Sequence, residues 1–148
     1  MRALIDTNVI LDVFFERQPF VEAAAALWLA NEQGRFDGYI SAITPVNVFY
    51  IARKIKGHEV ARNLVEELLT AFRICPLDSS VLSLALTLSM EDYEDSVQVA
   101  CAFASQLDAI ITRDKRIFEI YPSHYFLQPI SLSGFLQFPD KPFHQFEY

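Results

Sequence analysis

Apolar runs of strand length alternate with stretches of helical periodicity along the chain, and this alternation sets the expected architecture. Residues 3–5 (Ala3, Leu4, Ile5) make a short apolar strand that stops at Asp6. Pro19 then opens a helix with Phe20, Ala24, Leu27 and Trp28 on one face, closed by Gly34. Residues 39–41 read as a second strand. Thr44-Pro45 starts the next helix, with Thr44 as N-cap and Pro45 in the first helical position. That helix carries Val46, Phe49 and Tyr50 inward and stops near Gly57. A further helix repeats Ala61, Leu64, Val65, Leu68, Leu69 and Phe72 at the spacing of one helical face. Residues 73–77 follow as a third strand, and Asp78 caps a helix whose apolar face holds Val81, Leu84, Ala85 and Leu88. Asp92 caps another helix, running to about Gln106. Residues 109–112 form a fourth strand and 125–131 a fifth, where Pro129 suits a sheet edge. A short helix over 134–137 ends the fold.

Strands alternating with helices imply an α/β domain, a parallel sheet covered by helices on both faces. No repeat, low-complexity tract or linker interrupts the pattern, so one domain is expected over residues 1–138, with a tail at 139–148. A composition that is 52% hydrophobic with only 4 Gly excludes disordered and collagen-like chains. Cys75 and Cys101 stand in apolar contexts and form no CxxC, the setting of buried reduced thiols. At the N-terminus a charge at Asp6 arrives before an apolar signal segment can develop, and the run 23–30 is too short to span a bilayer. A cytoplasmic protein with no membrane association is therefore expected. The net charge of −7 speaks against a broad basic surface for nucleic acid. It does not speak against a site that gathers acids around divalent cations, each of which returns two positive charges.

The candidate chemistry comes from where polar residues fall on this topology. In a parallel α/β sheet, strand C-termini and helix N-termini share the edge where ligands bind. Asp6 follows the first strand, and Asp114 lies just past the fourth, beyond Thr112. Asp95 sits in the first turn of the helix leading into that fourth strand, and Asn47 in the first turn of the helix after the second. Each has a plain alternative as a cap or turn residue, and Asp92 with Asp95 has the spacing of a capping box. Together they bring oxygen ligands from four segments to one edge. Clustered carboxylates repel unless a counter-charge is present, and an oxygen-only set with no His or Cys suits Mg²⁺ or Mn²⁺. Such a cation polarises a phosphoryl oxygen and activates water. Arg113, Lys115 and Arg116 surround Asp114 and are placed to hold phosphates, whereas Arg53, Lys54, Lys56, His58 and Arg62 read as a solvated surface.

The segments Ile5-Asp6-Thr7-Asn8-Val9, Tyr93-Glu94-Asp95-Ser96-Val97-Gln98 and Ile110-Ile111-Thr112-Arg113-Asp114-Lys115 resemble the three acidic motifs of the PIN domain family, and residues 130–136 resemble its closing strand and helix. The resemblance implies a three-layer α/β/α fold around a five-stranded parallel sheet of order 3-2-1-4-5, and metal-dependent cleavage of RNA. It also implies kinship with VapC-like toxins, commonly dimeric and neutralised by a small antitoxin. Carried over, Asp6, Asp95 and Asp114 become ligands of Mg²⁺ or Mn²⁺, while Thr7, Asn8 and Thr112 become supporting or substrate-orienting groups. One departure matters: Asn47 stands where the family usually has Glu, and Asp92 or Glu94 lie close enough in sequence to compensate. Asn is neutral and cannot act as a base, although its carbonyl oxygen can still coordinate. The alternative reading is thus a catalytically weakened module that binds RNA or a protein partner. A phosphoryl-transfer or receiver domain also ends its first strand in Asp, but the second Asp that a haloacid-dehalogenase-type phosphatase needs is here Asn8.

Overall fold

A computed structural model describes residues 1–114 and 128–131. The expected helix at 134–137, the start of the fifth strand at 125–127 and the boundary between domain and tail lie outside the described residues. Strands β1 (Arg2–Ile5), β2 (Asp37–Ser41), β3 (Arg73–Cys75), β4 (Ala109–Thr112) and β5 (Gln128–Ser131) are joined through helices α1 (Thr7–Phe14), α2 (Val21–Glu32), α3 (Thr44–Lys56), α4 (His58–Ala71), α5 (Ser79–Thr87) and α6 (Tyr93–Ala104). The sheet has five strands in the expected order β3-β2-β1-β4-β5, and every pairing is parallel.

Side chains of a strand point alternately to opposite faces, and here both faces are covered. Ala3, Ile5, Ala109 and Ile111 enter one core with α1, α2, α3 and α4, where Trp28 meets Phe72 edge-on at 4.8 Å between ring centres. Leu4 and Ile110 enter the other with Val81 and Ala85 of α5 and the buried face of α6. These are the three layers α/β/α. Among the described residues no helix is long and apolar enough to cross a membrane. Cys75 and Cys101 are buried and unbridged, and burial pushes the Cys75 thiol up to about 11.

Several local expectations are corrected. Helix α1 does not stand out in the sequence because it is only eight residues long, about two turns, shorter than the window over which a helical period can be read. Helix α2 begins at Val21 rather than Pro19, and Phe20 occupies its N-cap position because the preceding turn is closed by Phe20 N–H donating to Arg17 O. Thr44 is not an N-cap; it lies inside the first turn of α3, where its buried hydroxyl pairs with that of Thr7 at 3.0 Å. The inward row of α3 is Thr44, Val48 and Ala52, small residues that let the helix lie close to its neighbours. Val46 and Tyr50 therefore face out, at 46% and 57% exposure, and Leu69 of α4 does the same beside buried Leu68. Strand β3 ends at Cys75, short of Leu77, because Pro76 has no N–H to extend the ladder.

Asn31 ties three elements together: its Nδ2 donates to Ala71 O at 2.7 Å and its Oδ1 accepts from Gly38 N–H at 2.8 Å. A Cβ on Gly38 would fall 2.6 Å from Asn31 Oδ1 and 2.9 Å from Phe72 Cδ1. Gly38→Ala is accordingly expected to lower stability by about 1–3 kcal/mol through overpacking. Urea unfolding followed by circular dichroism measures this, and an unchanged midpoint would show that the contact relaxes freely.

Candidate active site

From β1 the sheet grows one way through β2 and β3, and on the other side through β4 and β5. The crevice beyond the C-terminal ends of β1 and β4 is thus the point where strand order reverses, the usual place for a site in such sheets. Asp6 stands at that point, fully buried. It is the N-cap of α1, its Oδ1 accepting from Asn8 N–H at 3.0 Å and from Gln98 Nε2 at a long 3.4 Å. Its Oδ2 accepts a short 2.6 Å hydrogen bond from the Thr112 hydroxyl at the end of β4. The same hydroxyl oxygen accepts from the backbone N–H of Asp114 at 2.9 Å. One threonine thus connects the acid after β1 to the segment that carries the acid after β4.

Gln98 is buried on the inner face of α6 and was noted in the sequence only as part of an acidic motif. Its Oε1 accepts from Thr7 N–H at 3.0 Å and from the Thr7 hydroxyl at 3.3 Å, while its Nε2 faces Asp6. The visible signal was a lone amide among Val97, Val99, Ala100, Cys101 and Ala102. Thr7 in turn meets Thr44, so α1, α3 and α6 are stitched together by polar groups beside Asp6.

A cleft of about 350 Å³ opens next to this network, and Thr7, Asn8, Asn47, Asp92, Glu94 and Asp95 are among the residues lining it. Asp92 caps α6, accepting from the N–H groups of Glu94 at 2.8 Å and Asp95 at 3.4 Å. Asp95 is buried in the first turn, and Tyr50 reaches the cleft from α3. The expected residues thus fall into two adjoining groups. Asp6, Thr112 and Asp114 sit at the strand ends, and Asp95, Asn47 and Asp92 line the cleft, with Thr7 and Asn8 between them in the chain.

Burial pushes the Asp6 carboxyl up from its ordinary range; hydrogen bonds from Thr112, Asn8 and Gln98 pull it back, and the charge of Asp114 adds to the rise. A divalent cation would relieve that repulsion, and the donors here are all oxygens, which fits Mg²⁺ or Mn²⁺. Among the described residues no three His, Cys, Asp or Glu side chains are gathered as a ready-made metal cage.

An acid that the sequence reading passed over lies behind the site. Asp12, on α1, is fully buried, with Arg113 Nε 2.8 Å from its Oδ2 and Arg17 Nη1 4.0 Å from its Oδ1. Among the described residues neither Asp12 oxygen accepts a hydrogen bond, so the pairing is an ion contact. The Arg113 guanidinium also stacks 4.3 Å from the centre of the Phe20 ring. Arg113 is thus directed to Asp12 rather than to an incoming phosphate; Lys115 and Arg116 lie outside the described residues. The sequence signal was an acid inside an otherwise apolar stretch, residues 9–14.

A family profile described as PIN domain matches residues 2–116. No curated protein matches the chain. Among solved structures, the chain is similar to VapBC2 from Rickettsia felis bound to a DNA fragment from their promoter, with 16% identity, a TM-score of 0.65, and coverage of 88% of this chain and 98% of that one. A toxin-antitoxin complex from Klebsiella pneumoniae gives 23% identity, a TM-score of 0.59, and coverage of 84% and 94%. Mycobacterium tuberculosis VapC20, described as a Sarcin-Ricin loop cleaving toxin, gives 12% identity, a TM-score of 0.65, and coverage of 79% and 93%. At these identities the likeness is one of fold.

Asp6→Asn keeps the shape of the cap and removes the buried charge. Because the folded carboxyl lies above its ordinary value of 3.8, the native state holds its proton more tightly than the unfolded chain. Stability from this group is present below the unfolded value and is lost as pH rises through the folded one. In EDTA at neutral pH, Asp6→Asn is therefore expected to melt a few degrees above wild type, the gap closing as the buffer is acidified. Thermal melts over a pH series test this, and a variant that melts below wild type at neutral pH contradicts it.

Proposed function

The chain belongs to the PIN domain family, and from that membership we propose that it is a ribonuclease using Mg²⁺ or Mn²⁺ to hydrolyse RNA phosphodiester bonds, and the toxin of a toxin–antitoxin pair. The observation that carries this reading is the buried Asp6 carboxylate, repelled by Asp114 and tied to its segment through Thr112, at the sheet's reversal point beside an acid-lined cleft. Such an arrangement is unfavourable for folding alone and is suited to a hard cation.

In this reading Asp6, Asp95 and Asp114 hold the cation, and Asn47 offers a neutral carbonyl oxygen from the cleft wall. When bound, the cation supplies the positive charge that stabilises the phosphoryl and leaving oxygens during attack by water. Thr112 fixes the rotamer of Asp6, and Gln98 holds the Thr7 amide so that α1 starts in register with the site. Thr7 and Asn8 line the cleft and orient the RNA backbone by hydrogen bonding. Asp92 and Glu94 keep the cleft negative, so an RNA phosphate enters only with a cation present.

Two of the similar structures are a VapBC2 bound to a DNA fragment from their promoter and a toxin-antitoxin complex, and the third is described as a Sarcin-Ricin loop cleaving toxin. They support a small antitoxin as the protein partner here. The outward apolar side chains Val46, Tyr50 and Leu69 on α3 and α4 supply surface for that partner or for a homodimer. Asn47 favours a second reading, a module that binds RNA or protein without cutting. Calorimetric titration with Mn²⁺ separates the two, since a decayed site takes up no divalent ion.

Labelled RNAs incubated with purified protein should be cut in Mn²⁺ or Mg²⁺ and left intact in EDTA. Asp6→Asn should abolish cutting, and Thr112→Val should reduce it about 10–100-fold by loosening the group that orients Asp6. Folded wild-type protein that cuts none of a broad RNA panel with either cation would overturn the ribonuclease reading.

A further inference from the structure

Arg113 lies in the chain between two residues of the site, yet its side chain turns away to a carboxylate that the site does not use. Thr112 grips the N-terminal end of α1 through Asp6 at 2.6 Å. Arg113 grips the C-terminal end of the same helix through Asp12 at 2.8 Å and stacks on Phe20 just beyond it. Asp114 follows directly, its N–H bonded back to Thr112. The exit from β4 is thus clamped to both ends of one short helix by consecutive residues.

Packing alone does not require an ion pair here. Replacing a buried ion pair by apolar residues of similar volume is often neutral or stabilising. What a buried carboxylate and a planar guanidinium supply is direction, because the Nε contact on one edge and the Phe20 ring against one face fix where the arginine backbone must lie. We propose that Asp12 and Arg113 are positioning residues: a strut, anchored on the buried Asp12 carboxylate, that holds Asp114 opposite Asp6 and so sets the geometry in which the site receives a divalent cation. The cation half rests on the ribonuclease reading, whereas the placement of Asp114 is a property of the free protein and is tested separately.

Two variants carry the test. Asp12→Asn breaks the pair and leaves the arginine without its counter-charge. The double variant Asp12→Leu with Arg113→Met removes both charges and keeps the space filled. Hydrogen exchange at single amides in EDTA reads the placement, and Mn²⁺ titration followed by electron paramagnetic resonance reads the cation site. In both variants the Asp114 amide should exchange about 10-fold faster or more, whereas the Asp6 amide, bonded to Ile111 O within the sheet, stays protected. Mn²⁺ binding should weaken about 10–100-fold, the usual effect of losing a group that orients a ligand. If the double variant restores wild-type exchange and wild-type Mn²⁺ binding, the pair serves only stability and the proposal falls. Wild-type protein that binds no Mn²⁺ would sink the ribonuclease reading; exchange at Asp114 would then decide the strut by itself, and an unchanged rate would overturn it.

Discussion

A carboxylate removed from water at the end of β1 governs much of this structure. Withdrawing such a group from solvent costs several kcal/mol unless hydrogen bonds or charges replace its hydration. Asp6 receives neutral donors only: the Asn8 amide, the Thr112 hydroxyl and, at longer range, the Gln98 side chain. Each donor is held in turn by something else. Thr112 is fixed by β4, Gln98 by the buried face of α6, and Thr7 connects Gln98 to Thr44 on α3. Satisfying one acid therefore sets the relation of β1, β4, α1, α3 and α6, the elements that surround the cleft.

The central strands β1 and β4 were legible because they are buried on both faces and announce themselves as short apolar runs bounded by polar punctuation. Gly57, Asp78 and Asp92 end or cap helices as their chemistry demands. Helix α1 was not legible, since its two turns are too short for a period to show. The orientation of α3 was misjudged for a different reason. Hydrophobicity nominated Val46 and Tyr50 for the core, but the row that packs is Thr44, Val48 and Ala52, where close approach outweighs apolar area. A threonine that resembles a cap is, in the fold, a buried partner for Thr7.

The polar groups at strand and helix ends could be read from the chain because topology alone sends Asp6, Asp114, Asp95 and Asn47 to one edge. Of the groups that support them, Asn8 and Thr112, which bond Asp6, were among those expected from the family resemblance, whereas Gln98 and Asp12 were not singled out. Gln98 becomes noticeable only when α6 is seen to turn that face toward Asp6. Asp12 becomes noticeable only when Arg113, expected to meet phosphate, is found against it. For these two the role is set by three-dimensional fit, which spacing along the chain does not display.

The β1–β4 pairing brings together residues from opposite ends of the described chain: Asp6 and Thr112 are 106 positions apart. During synthesis, Asp6 leaves the ribosome early and must wait for β4 before its second oxygen finds a partner. Until then α1 has its cap but the crevice has only one wall. An edge that needs both Asp6 and Thr112 is therefore complete only once β4 has docked beside β1.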